Sequence, residues 1–296
     1  MQCAADLGGT NLRLQFYSAD SLISSINLKT ADYQSFSEAL RSSMPAEIRR
    51  LSCAVAGPVK NGTVRCGNIP WPEITQDDLK REFDLEAVTL INDLHAAALA
   101  LLECPLNLRC LIGATSAGAK LLIGVGTGLG VALISAGGEI IPTECGWATF
   151  APRSLLDMEF VNFVKKKKIV DRVAVEHVTA GPSVSLWYEF FGGGVCTPED
   201  IYQMNDEISI KAVRMQWMVL GRIISEWSMM FSCAGGVYLT GGVVEKAGGL
   251  IDEPLVEGFL ASLGKPTVLD ELVRACSVNV VLTSDMPLRG AKLLLT

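Results

Sequence analysis

Asp6 stands two residues ahead of a glycine pair in the opening run Asp6-Leu7-Gly8-Gly9-Thr10-Asn11. Glycines in a tight turn remove the side chains that would block a ligand, and the backbone N–H groups of such a turn converge on phosphate oxygens. A carboxylate beside the turn repels phosphate unless a cation lies between them, and Mg²⁺ takes one or two carboxylates together with nucleotide phosphates. The same run also fits an ordinary two-glycine hairpin, and residue types alone leave both readings open. Gly124-Val125-Gly126-Thr127-Gly128-Leu129-Gly130 repeats the logic, and Thr240-Gly241-Gly242 supplies a third glycine turn. The second run misses the G-x-G-x-x-G spacing of a dinucleotide fold, and no turn carries the Lys-Ser/Thr of a P-loop. Asp93 follows Asn92 after an apolar run at residues 88–91. Open α/β sheets collect ligands at the carboxyl ends of strands, so Asp93 is placed to accept a proton. It is equally placed to cap the alanine-rich helix expected over residues 96–102.

These residues need elements to hold them. The chain has 296 residues, which suggests about two domains. Apolar residues make up 49% and charged residues 19%, the usage of a folded globular chain rather than a disordered or fibrous one. With 25 Lys plus Arg against 32 Asp plus Glu, the net charge of −7 disfavours nucleic acid and anionic lipid and points to a small-molecule partner. No apolar stretch is long enough for a membrane span and the opening residues lack a signal-peptide layout, so a cytoplasmic location is expected. The nine cysteines are scattered, without C-x-x-C, so neither a disulfide framework nor a structural zinc site is expected.

Residues 2–7 and 12–17 read as two strands joined by the glycine turn. Residues 36–40 look helical, residues 51–56 form an apolar strand stopped by Gly57-Pro58, and Asn61-Gly62 is a turn dipeptide. Thr75 with Asp78 predicts a helix start. The strand–glycine turn–strand pattern recurs from Leu121, so the chain reads as two related halves. Helical patterns follow near residues 155–164, 183–191 and 208–231, the last with tryptophans and methionines suited to a buried face. Lys165 to Lys168 reads as a solvated helix end. The two histidines, His95 and His177, each adjoin a candidate acid and read as structural or solvated, because adjacent helical residues do not share a face.

Three separated glycine turns with Asp6 and Asp93 resemble the sugar kinase, heat-shock-chaperone and actin superfamily. The bacterial-type glucokinase family is the nearer resemblance. It is carried in order by Asp6 to Asn11, Ala54-Val55-Ala56-Gly57-Pro58, Asn68 to Trp71, Ile91-Asn92-Asp93, Gly124 to Gly130, Glu144-Cys145-Gly146-Trp147, Phe150-Ala151-Pro152, Ala180-Gly181-Pro182 and Gly235 to Gly242. The resemblance implies an α/β, two-domain actin-like ATPase (ribonuclease H-like) fold with ATP and sugar in the interdomain cleft. It implies a small domain of residues 1–104 plus 284–296, a larger one of residues 105–283, and a homodimer.

The implied activity is transfer of the γ-phosphoryl of ATP to the 6-hydroxyl of glucose or a related hexose, with Asp93 as general base. Sugar contacts fall on Asn68, Asn92, Asp93, Glu144, Trp147 and Glu176. ATP contacts fall on Asp6, Gly8, Gly9, Thr10, Asn11, Gly126, Thr127, Gly128, Gly241 and Gly242, and Asp6 is expected to hold Mg²⁺ through water. The family carries E-G-G-H where this chain has Glu144-Cys145-Gly146-Trp147, with indole replacing the sugar-bonding imidazole. That departure leaves a different hexose, or a catalytically weak or inactive sugar-binding or regulatory relative, as alternatives. Cys145 in place of glycine suggests a changed backbone at that turn. A sugar-responsive DNA-binding repressor is disfavoured, because no basic helix-turn-helix segment precedes Asp6.

Overall fold

The computed structural model describes residues 1–66, 69–263 and 268–295. The chain forms two compact units, Met1–Leu106 with Thr283–Thr296 and Asn107–Leu282, each around its own apolar core.

The first unit contains strands β1 (Gln2–Leu7), β2 (Asn11–Ser18), β3 (Ser21–Lys29), β4 (Arg50–Val55), β5 (Val59–Lys60), β6 (Thr63–Val64), β7 (Ile74–Thr75) and β8 (Ala87–Asn92). Its helices are α1 (Phe36–Ser43), α2 (Gln76–Glu82), α3 (Asp93–Glu103) and the last helix of the chain, Met286–Leu293. The main sheet runs β3-β2-β1-β4-β8. β1, β2 and β3 are antiparallel neighbours, whereas β4 and β8 run parallel to β1 and to each other. The middles of the central strands, Cys3-Ala4-Ala5 of β1 and Cys53-Ala54-Val55 of β4, are buried and apolar because both faces are covered. Cys3, Ala5 and Leu7 point into the main core, and Ala4 and Ala54 lie with Ala96, Leu288 and Ala291 beneath the helices of the other face. Small side chains let those helices approach closely: a Cβ on Gly290 would sit 1.7 Å from the Ala96 carbonyl oxygen. β5, β6 and β7 make a small separate sheet. Asn61 and Gly62 both adopt positive φ between β5 and β6, the backbone a tight hairpin turn demands.

The second unit contains β9 (Leu108–Ile112), β10 (Lys120–Val125), β11 (Leu129–Ile134), β12 (Ile140–Thr143), β13 (Val237–Thr240) and β14 (Val278–Val281). Its helices are α4 (Leu155–Lys168), α5 (Glu176–Thr179), α6 (Ser183–Phe190), α7 (Pro198–Gln203), α8 (Glu207–Met230), α9 (Gly242–Ala247), α10 (Asp252–Ala261) and α11 (Val268–Arg274). Its sheet runs β12-β11-β10-β13-β14-β9. The first three strands are antiparallel, and β13 and β14 are parallel in line with β10. The five strands β12-β11-β10-β13-β14 therefore repeat the order and directions of β3-β2-β1-β4-β8, as the duplicated glycine hairpins suggest. α8 buries Trp217 and Trp227, and the four lysines ending α4 are all exposed. Among the described residues no helix is long and apolar enough to cross a membrane.

Candidate functional site

Each unit places its candidate residues at the carboxyl ends of its parallel strands. In the first unit, Gly8 N–H donates to the Asn11 carbonyl at 2.9 Å and closes the turn between β1 and β2. Thr30, itself buried, fastens that turn from outside: its hydroxyl donates to the Gly9 carbonyl at 3.0 Å and its N–H to the Thr10 carbonyl at 3.0 Å. Gly9 and Thr10 remain exposed. Asp6 is the last polar residue before the turn and pairs in register with Arg13 of β2. Burial pushes its carboxyl up to about 6, against the opposing pull of Arg13 and reinforced by Asp93 and Asp285. Arg13 is itself drawn to Asp285 at 2.6 Å.

Asp93 is the first residue of α3, and Asn92, not Asp93, is the cap. Asn92 Oδ1 accepts from the N–H groups of Leu94 at 3.0 Å and His95 at 3.1 Å. Its amide nitrogen donates to the Gly57 carbonyl at 3.1 Å and to Asp93 Oδ1 at 3.1 Å. The Ala54-to-Pro58 motif thus holds the side chain that orients the aspartate. Asp93 Oδ1 also accepts from Leu94 N–H at 2.8 Å, and Oδ2 has no partner in another residue among those described. Burial raises the Asp93 carboxyl above the ordinary range, and the Leu94, backbone and Asn92 donors only partly oppose it.

In the second unit, Gly126 N–H donates to the Gly128 carbonyl at 3.0 Å, closing the turn between β10 and β11 with Thr127 exposed. Gly181 N–H donates to the Gly126 carbonyl at 2.8 Å, so the Ala180-Gly181-Pro182 motif docks on the turn. Gly241 has φ +109°, and a Cβ there would meet the Val125 carbonyl oxygen at 2.5 Å, which brings β13 and α9 against the same strand end. A Cβ on Gly242 would meet nothing within 4 Å among the described residues. Glu176, at the start of α5, reaches the turn: its Oε2 accepts from Leu129 N–H at 3.4 Å. Glu144 is exposed and precedes a single helical turn, Cys145–Trp147.

That turn answers two expectations drawn from sequence. Cys145 does not adopt positive φ, so its position asks for no left-handed backbone that would require glycine. The glycine that packing demands is Gly146, where a Cβ would sit 2.1 Å from the Leu129 carbonyl oxygen. Trp147 is 49% exposed and is therefore no core filler. The backbone around it pairs with the segment before α5, with Phe150 N–H on the Val173 carbonyl at 3.0 Å and Val175 N–H on the Ala148 carbonyl at 2.9 Å. This pairing brings His177 beside Trp147.

The structure therefore gathers Asp6, Gly8, Gly9, Thr10, Asn11, Asn92 and Asp93 at one strand edge of the first unit. Gly126, Thr127, Gly128, Glu144, Trp147, Glu176, Gly241 and Gly242 lie around the corresponding edge of the second. Asn68 lies outside the described residues. Sequence reasoning missed Arg13, Thr30 and Asp285. The first had a signal, since a four-residue turn that pairs Leu7 with Leu12 must pair Asp6 with Arg13.

The two sheets and their crossover helices are those of the two-domain actin-like sugar kinases. The crystal structure of glucokinase from an Antarctic psychrotroph aligns with a TM-score of 0.79 at 22% identity, covering 99% of this chain and 98% of that one. A glucokinase-like protein of Xylella fastidiosa (strain 9a5c) is 30% identical over 292 residues, 87% of this chain and 84% of that protein. Glucokinase of Allorhizobium ampelinum is 28% identical over 318 residues, 96% of this chain and 88% of that protein. The family model described as Glucokinase matches residues 3–296, and the chain belongs to the glucokinase family.

Proposed function

We propose that the protein is an ATP-dependent hexose kinase that transfers the γ-phosphoryl group of ATP to the 6-hydroxyl of glucose or a related hexose. One observation carries the reading. Asn92 takes over the capping of α3, which leaves Asp93 a half-buried carboxylate with one oxygen held and the other without a partner in another residue among those described. A base in that state accepts the 6-hydroxyl proton as the hydroxyl oxygen forms its bond to the γ-phosphorus. The bond from that phosphorus to the β–γ bridging oxygen breaks, and ADP leaves with the electron pair. Phosphoryl transfer asks mainly for positioning and charge neutralisation, so the donors of the two glycine turns serve the phosphates while Glu144 and Glu176 offer acceptors to sugar hydroxyls.

Mg²⁺ fits the residues present. Asp6 is a desolvated hard oxygen donor at the phosphate turn, and among the described residues no cluster of three or more His, Cys, Asp or Glu forms an all-protein cage. Asp6 would hold the ion, directly or through water, together with the nucleotide phosphates. Bound there, Mg²⁺ supplies charge neutralisation of the phosphates.

ADP release measured across glucose, mannose, fructose, glucosamine and N-acetylmannosamine tests the reading. Hexose-dependent release is expected. Saturable hexose binding with no release for any of them would make the chain a sugar-binding relative instead.

A further inference from the structure

Asp6, near the end of β1, stands directly opposite Arg13 of β2. Residues opposed across an antiparallel pair share a face and hold their Cβ atoms about 4.5–5.5 Å apart, so an aspartate facing an arginine ordinarily makes an ion pair. Ala4 lies beneath α3 and the last helix, and the alternation of a strand carries Asp6 and Arg13 to that same face. Yet Arg13 does not take Asp6. Its Nη1 donates to Asp285 Oδ1 at 2.6 Å instead, and among the described residues no hydrogen bond or ion pair reaches the Asp6 carboxylate.

The residue that takes the arginine is not built for stability. Asp285 precedes the last helix with φ 60° and ψ 31°, a left-handed backbone that L side chains rarely adopt. It stands at the cap position, where aspartate is among the best residues, but its carboxylate caps nothing: no N–H of the first helical turn donates to it. Oδ1 takes Arg13, and Oδ2 accepts from the neighbouring Ser284 hydroxyl at 3.3 Å. The pair with Arg13 returns little stability, because the two side chains are 45% and 38% exposed. A strained backbone, a forgone cap and a weak surface pair beside a candidate site mark a residue kept for something other than folding.

We propose that Asp285 is a positioning residue that draws the Arg13 guanidinium off Asp6 and so keeps the Asp6 carboxylate open to Mg²⁺ at the phosphate turn. The inference rests on the MgATP site of the hexose-kinase reading and deepens it. Without Asp285, Arg13 closes on the carboxylate it faces across the strands, and metal binding then requires displacing a guanidinium.

Calorimetric titration of the full chain with MgADP, beside steady-state kinetics, tests it. Asp285→Gly is the informative variant, since glycine accepts the left-handed backbone without strain and the fold is retained. Its Tm stays close to the wild-type value. The Kd for MgADP and the KM for MgATP rise roughly 3- to 10-fold, the competition from one ion pair with a desolvated carboxylate, while the KM for hexose is unchanged. Adding Arg13→Gln to Asp285→Gly removes the competitor and returns MgADP affinity to within about twofold of wild type, a rescue that a merely structural role would not give. An Asp285→Gly protein that binds MgADP as tightly as wild type overturns the assignment, and so does a double variant as weak as the single one. Wild-type protein that binds MgADP but releases no ADP from MgATP with any hexose overturns the hexose-kinase reading alone. Wild-type protein that binds no MgADP overturns both.

Discussion

A one-residue distinction at the start of α3 decides whether this chain holds a base or a cap. Asn92 satisfies the Leu94 and His95 N–H groups, so Asp93 is not the cap, and Asp93→Asn, which keeps an oxygen for the Leu94 N–H, tests chemistry with the least disturbance of the helix start. A positioned base contributes about 10²- to 10⁴-fold, or roughly 3–5 kcal/mol of barrier. The pH profile carries a second expectation. Burial raises the Asp93 carboxyl, so the acid limb of kcat/KM falls above the ordinary carboxylate range of about 3.9. Activity declines as pH drops through the raised value, and an acid limb at or below that ordinary range would contradict the assignment. The sequence offered Asp93 as base or cap with equal weight, because helix boundaries are uncertain by a residue or two and Asn and Asp cap equally well. His177 was less legible still. Its partner Trp147 lies 30 residues away in the chain, and only the pairing of the 148–150 and 173–175 segments brings the rings together.

At the scale of elements, two helices make separable predictions. α4 begins with a capping box in which Ser154 and Asp157 serve each other, and Asp157 also makes a two-pronged pair with Arg222 of α8 at 2.8 and 2.9 Å. Burial alone would raise the Asp157 carboxyl, but the Arg222 hydrogen bonds and the Arg153 and Ser154 donors outweigh it and hold it below the ordinary value. Its contribution to stability is therefore present above the unfolded carboxylate value and is lost as pH falls through the lower folded one. Asp157→Asn should cost about 3–5 kcal/mol at pH 7, with the gap to wild type closing below about pH 4 in denaturant titrations. A gap independent of pH would show that packing, not charge, is lost. The last helix rests its Gly290 on the Ala96 carbonyl of α3. Gly290→Ala should destabilise by about 1–3 kcal/mol or more and lower kcat as well, since α3 carries Asp93. An unaltered Tm would show that this contact yields freely. Hairpins and caps were readable because their signals are local: Thr75 receives Asp78 N–H, and Asn61-Gly62 turns β5 into β6. β9 and β14 were not, because their short runs, interrupted by Arg109 and Asn279, gain strand identity only from neighbours distant in sequence.

For the whole molecule, the repeated strand order explains why glycines gather at three points, each at the carboxyl end of a strand. A net charge of −7 gives an anionic nucleotide no long-range attraction, so the proposed kinase reading requires local N–H donors and a divalent cation for affinity. EDTA should therefore abolish hexose-dependent ADP release and added Mg²⁺ restore it. Turnover that survives exhaustive chelation would remove the ion from the account. The most direct test of the central claim is kcat with glucose and MgATP for wild type beside Asp93→Asn. The account predicts glucose 6-phosphate from the wild type and a loss of about 10²- to 10⁴-fold in kcat in the variant. A variant that keeps wild-type turnover would contradict it.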